Sequence, residues 1–216
     1  MPMPAESRVR FVARWVFAGF VLVLAAWGIW QAQRIARGDF ASMQARYRID
    51  AWLTGKTQWS VPQWVAARDD LLDAARMTPD NPVTFDYLAV INMLRGQRAW
   101  SAPSLRKAYF GEALNYQLAS LQLRRENGAA WANLALSQYA LDESAAAYDS
   151  MRLALRYGPH ELRVKQLLSG IVLSQWAEAP EDLKNWLLAL YRDGKGYEKR
   201  DIERLAKQYG VSIKDS

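Results

Sequence analysis

The sequence predicts an all-α protein: a single N-terminal transmembrane helix, then a short α-solenoid of about three helical hairpins closed by C-terminal capping helices. Three observations predict it. Trp15–Trp30 is an uninterrupted run of apolar residues and Gly. Trp131, Leu134, Ala135, Ala147, Ala154 and Pro159 stand at the offsets of a helix–turn–helix repeat. The same phase returns upstream. Four segments follow: 1–10 as a cytoplasmic tail, 11–33 as the membrane anchor, 34–60 as a juxtamembrane helix and connector, and 61–216 as the repeat domain.

The anchor comes first. Phe11–Gln33 would extend about 34 Å as a helix, enough for a hydrocarbon core of about 30 Å. Arg8, Arg10 and Arg14 flank one end and Arg34 and Arg37 the other, with Trp15, Trp27 and Trp30 near the two interfaces. The run is long for a signal peptide and offers poor cleavage sites, so a retained anchor is expected. Arg46 and Arg48 bring the positive-inside count close to a tie. The short Arg-clustered tail favours a cytoplasmic N-terminus, which would place the domain in the periplasm of a bacterium.

After a break expected at Gly38-Asp39, a helix is predicted over Ala41–Leu53. Ser60 and Gln63 form a capping-box pattern, with Pro62 in the first turn, for a helix running to Met77 before Pro79. Asn81 caps a helix from Pro82 to Gly96. Further helices are expected at Pro103–Arg125, Ala129–Ala140, Glu143–Tyr157, Glu161–Trp176, Glu181–Arg192 and Lys199–Tyr209. The repeat is of tetratricopeptide type, with a period of about 34 residues. Ala67, Leu71, Ala74 and Pro79 close one copy; Phe85, Leu88, Ala89, Ala113, Ser120 and Leu121 form a second. That copy is degenerate, with Gln117 at an aromatic position and Arg125 where Pro belongs. Phe85 and Ala113 are 28 positions apart, whereas Trp131 and Ala147 are 16 apart, so 12 extra residues sit near Gly96–Lys107. Small residues recur because two helices approach closely only where Ala, Gly or Ser replaces a larger side chain.

Composition narrows the chemistry. Cysteine is absent and His160 is the sole histidine, which excludes disulfides, thiol catalysis and multi-His metal sites. Residues 1–48 hold seven Arg against Glu6 and Asp39, or +5 of the net +6; the rest of the chain holds 21 basic and 20 acidic groups. A domain so nearly neutral argues against nucleic-acid binding. Asp69, Asp70 and Asp73 read as a solvated helix face and His160 as a turn residue. No cofactor is expected, and the chain reads as a non-enzyme.

Repeats of this kind present a surface. Its concave positions map to Asp86, Val90 and Met93 in one copy and Ala132, Leu136 and Tyr139 in the other. They describe an apolar groove suited to a partner helix, or one filled by the helix after the span. The second candidate is GQRAWSAPSLRK, where Trp100 stands among Arg95, Arg98, Arg106 and Lys107. An exposed Trp there could anchor a protein or stack on a sugar ring; a tucked Trp would be core.

The run LTGKTQWSVPQWVAARDDLLDAARMTPDNPVTFDYLAVINMLRGQRAW, Leu53–Trp100, resembles bacterial VpsP-family polysaccharide biosynthesis proteins. The resemblance extends over the anchor and most of the domain and contains no catalytic motif. It implies a small inner-membrane protein serving exopolysaccharide synthesis and export. The expected function is therefore a non-enzymatic, membrane-anchored scaffold that docks protein partners of such a complex. The alternative is an assembly factor for another envelope machine, in secretion or cytochrome maturation.

Overall fold

The computed structural model describes residues 5–213, with side chains before residue 14 described only at Phe11. The described chain folds into α-helices that form two compact units, dividing after Pro79.

The first unit is a helical hairpin. Helix α1 (Ala5–Leu53) is unbroken over 49 residues, and α2 (Val61–Met77) folds back along its C-terminal part. Buried positions recur every three or four residues on both: Gly38, Ser42, Ala45, Ile49 and Trp52 on α1, and Trp64, Ala67, Leu71, Ala74 and Thr78 on and just past α2. Gly38 fixes the register, since a Cβ there would stand 2.7 Å from Thr78 Cγ2. Carried along the antiparallel pair, this register sets Ser42 beside Ala74, Ala45 beside Leu71, Ile49 beside Ala67 and Trp52 beside Trp64. Small residues thus face each other at one end, small faces large in the middle, and aromatics close the tip, where the Trp52 and Trp59 rings are 6.2 Å apart. The break expected at Gly38-Asp39 is absent. Gly38 is there for close approach, and Asp39 stays on the exposed side, paired with Arg46 at 2.8 Å.

Helix α2 starts as the sequence indicates. The Ser60 N–H donates to Gln63 Oε1 at 2.9 Å, and Ser60 Oγ faces the Gln63 N–H.

The second unit stacks α3 (Pro82–Arg98), α4 (Pro103–Leu123), α5 (Gly128–Ala140), α6 (Ser144–Tyr157) and α7 (Leu162–Ser174), with α8 (Glu181–Asp193) and α9 (Gly196–Tyr209) against α7. Asn81 caps α3, its Oδ1 accepting from the Val83 N–H at 3.0 Å, and Asn127 caps α5. The 12 extra residues of the interrupted copy are not a long loop. Helix α3 has 17 residues against 13 in α5, α4 has 21 against 14, and the turn has four against three. The added length continues the packing rhythm: a Cβ on Gly96 would stand 2.9 Å from the Phe110 ring, so Gly96 and Phe110 form one more layer beyond Met93 and Ala113. Gln117 occupies its aromatic site by burying its side chain and donating Nε2 to Met93 Sδ at 3.1 Å.

The main core gathers Ala132, Met151, Leu168, Val172, Leu183, Leu187 and Ile202 from α5 through α9. Each fully buried Leu or Ile contributes about 1.5–3 kcal/mol. A part-buried ion pair crosses this end: Lys165 Nζ lies 2.7 Å from Glu198 Oε1, and Glu198 Oε2 accepts the Lys195 N–H at 2.6 Å. These bonds, Lys165 first, hold the Glu198 carboxyl below its ordinary range.

Candidate partner-docking site

The α3–α4 turn, Ala99–Ala102, carries the most conspicuous surface feature of the second unit. Trp100 is 79% exposed, so it is not tucked into the hairpin. Its neighbour Ala99 is buried, and the Ala99 N–H closes the last turn of α3 onto the Gly96 carbonyl, so the chain leaves the helix at Trp100. Arg95 and Arg98 occupy the last turn of α3, where positive charge suits the helix dipole. The Arg95 guanidinium lies 5.7 Å from the Tyr109 ring centre, and Arg106 lies 5.7 Å from that of Phe110. Lys107 Nζ reaches Asp142 at 2.9 Å, and this bond holds the Asp142 carboxyl below its ordinary range. Leu105, in the first turn of α4, is also exposed. An exposed aromatic on a short turn between two helix ends that carry cations can anchor a partner through ring burial and charge.

The concave positions do not form an open groove, and their physical roles correct that expectation. Asp86 is an internal fastening. One carboxylate oxygen accepts from Ser120 Oγ at 2.5 Å; the other accepts from Arg124 at 3.1 Å and from Asn127 Nδ2 at 3.2 Å. It thus ties α3 to α4 and to the cap of α5. Burial is the largest influence on Asp86 and raises its pKa, against the three partners that lower it. Val90 is buried. Met93 packs with Ala89, Phe110, Ala113 and Ala140, and Leu136 lies against the same cluster. Tyr139 is half-buried, with its hydroxyl 3.0 Å from Ser174 Oγ and accepting Gln175 Nε2 at 3.3 Å, so the end of α7 covers it. Ala132 is fully buried. Of the expected docking residues, the structure leaves Arg98 and Trp100 together at one exposed end.

The membrane-flanking arginines are distributed as follows. Arg14 and Arg37 are exposed, and Arg34 lies 5.9 Å from the Trp30 ring centre. The side chains of Arg8 and Arg10 lie outside the described residues. Among the described residues, one helix, α1, is long and apolar enough to cross a membrane, and the apolar window of that helix is wholly unburied. The Asp69–Asp73 cluster resolves into surface ion pairs, Arg68–Asp69 at 3.0 Å and Arg76–Asp73 at 2.5 Å.

Sequence reasoning missed one exposed set, Phe40, Met43 and Tyr47 on α1. Their signal is a second three-four rhythm, out of phase with Gly38–Trp52, which an assumed helix break hides.

Fold and site define a class: an all-α helical-hairpin protein bearing a helix able to span a bilayer and an aromatic–cationic end. No protein-family model matches the chain, and no curated protein matches it significantly.

Proposed function

We propose that the protein is a non-enzymatic, membrane-anchored scaffold of a bacterial exopolysaccharide synthesis and export complex, docking a partner protein through the Trp100 end. On this reading α1 holds it in the inner membrane and the helical hairpins lie in the periplasm. The observation that carries the docking role is Trp100 itself. Tryptophan and arginine are enriched among the residues that anchor protein interfaces, and Trp100, 79% exposed, shares this end of the hairpin with exposed Arg98 and Leu105. The exopolysaccharide assignment rests on the resemblance of Leu53–Trp100 to VpsP-family proteins.

The test is genetic. Clean deletion should abolish or strongly reduce the polymer, and the full-length chain should restore it. A chain lacking residues 1–33 should not, and Trp100→Ala should restore it at least several-fold less well while accumulating to wild-type level. Normal polymer after deletion would overturn the assignment; full rescue by Trp100→Ala would overturn the docking site.

A further inference from the structure

Helix α1 carries two apolar faces. One, Gly38–Trp52, is consumed by α2. The other follows the same three-four spacing on the opposite side: Gly19, Leu22, Ala26, Ile29, Gln33, Ala36, Phe40, Met43 and Tyr47, apolar but for Gln33 and every one of them exposed. It runs about 42 Å along one unbroken helix. Lipid tails can cover its first part. They cannot cover the rest, because Phe40 and Tyr47 lie about 15 and 25 Å beyond Trp30, past the bilayer core and its headgroup layer. There Phe40 is 76%, Met43 49% and Tyr47 79% exposed on a helix already paired on its other face.

We propose that this stripe is a homodimer seam: two copies of α1 pair in parallel and in register, through the membrane segment and on along the stalk. The stripe dictates what could cover it. The occupant must be a helix that crosses the same bilayer, continues at least about 25 Å beyond it, and offers apolar residues at heptad spacing with a polar side chain to meet Gln33. A second copy of this chain meets all three conditions, and common membrane topology makes the pairing parallel. Small residues suit the part in lipid, since Gly19 and Ala26 let two backbones approach. The flanking charges are compatible. In-register pairing sets Ala32 against Arg37, Asp39 against Gln44 and Arg46 against Ala51 of the other copy, with no like charges opposed. Asp50, next in the phase, is acidic and exposed, so the stripe ends at Tyr47. The area is sufficient: an aromatic offers roughly 150–250 Å², so the stalk residues of two copies would withdraw on the order of 600 Å² from water. The membrane part carries the total toward the ~1,200 Å² of stable interfaces. Helix α2 packs on the opposite face, and its last residue, Met77, borders the stripe beside Gln33, Ala36 and Phe40, adding an apolar edge to the seam.

The absence of native cysteine makes the test direct. Phe40→Cys, Met43→Cys and Tyr47→Cys are introduced singly into the full chain, with Arg48→Cys and Asp69→Cys off the stripe. Membranes are oxidised briefly with copper phenanthroline and run without reductant. The three stripe positions should yield a band at twice the chain mass, at least tenfold more than the off-stripe positions. Phe40→Glu combined with Tyr47→Cys should lose most of that band while the monomer persists at its usual level, since residue 40 is exposed and unneeded for the hairpin. Equal crosslinking on all faces, no homodimer band, or a band of another mass reporting a different partner would each overturn the proposal. Trp100-dependent polymer rescue tests a different surface, so either result can fail alone.

Discussion

Asp86 shows what a repeat phase can and cannot tell. Its offset from Phe85 places it on the concave side, and a position count cannot reveal that Ser120, Arg124 and Asn127 converge on it from the next helix and the next cap. That convergence is tertiary, and its trace in sequence is only three polar residues 34 to 41 positions on. Asp86→Ala would strand those donors and should cost roughly 1–3 kcal/mol of stability. The carboxylate also has a pH signature. Its pKa is raised above the ordinary 3.8 by burial, so the folded chain holds the proton more firmly than the unfolded one. The resulting stabilisation is fully present below pH 3.8 and is lost as pH rises through the folded value. Asp86→Asn keeps the shape but cannot ionise. Thermal melts should therefore show the wild type gaining on Asp86→Asn as pH falls from about 7 to about 3.5; a gap that moves the other way would show that the three partners outweigh burial.

At the scale of elements, the boundaries of the helices were largely legible because caps and prolines mark them: Ser60, Asn81 and the prolines at 62, 82 and 103 all stand where a helix opens. Glycines were not legible, because a glycine that ends a helix and one that admits a neighbour look alike in sequence. Gly38 and Gly96 lie inside helices and serve close approach. The same distinction gives a paired prediction. A Cβ on Gly128 would stand 2.6 Å from the Gly158 Cα, which is backbone and cannot swing aside, whereas one on Gly111, inside α4, meets nothing within 4 Å. Gly128→Ala should force α5 and the end of α6 apart and destabilise by about 1–3 kcal/mol. Gly111→Ala should stabilise by up to about 1 kcal/mol through helix propensity alone. Urea midpoints of the two variants in detergent should fall on opposite sides of the wild type.

Over the whole chain, charge and length separate an arginine-flanked apolar helix from a nearly neutral set of hairpins, and both were readable because each depends on composition summed over many residues. The end of the solenoid was readable only as a cap, not as a load. A stacked repeat leaves its last apolar face bare, so the final elements must cover it without presenting another. Here α8 and α9 do so on α7: Leu183, Leu187, Ile202 and Ala206 pack with Leu168, Val172 and Leu173 in the main core. The outer faces of both helices are charged, with Arg152 of α6 bonded to Asp182 at 2.8 Å and Tyr191 to Glu203 at 2.9 Å. If this cap is what keeps the solenoid soluble, Leu187→Ala should destabilise by about 2–4 kcal/mol yet leave the chain monodisperse in detergent. A stop codon after Gln175 removes the cover entirely and should send the chain to the void volume on size exclusion. A truncated chain that stays monodisperse and keeps its far-ultraviolet dichroism per residue would mean that α3–α7 suffice, and that α8 and α9 are an appendage to the solenoid.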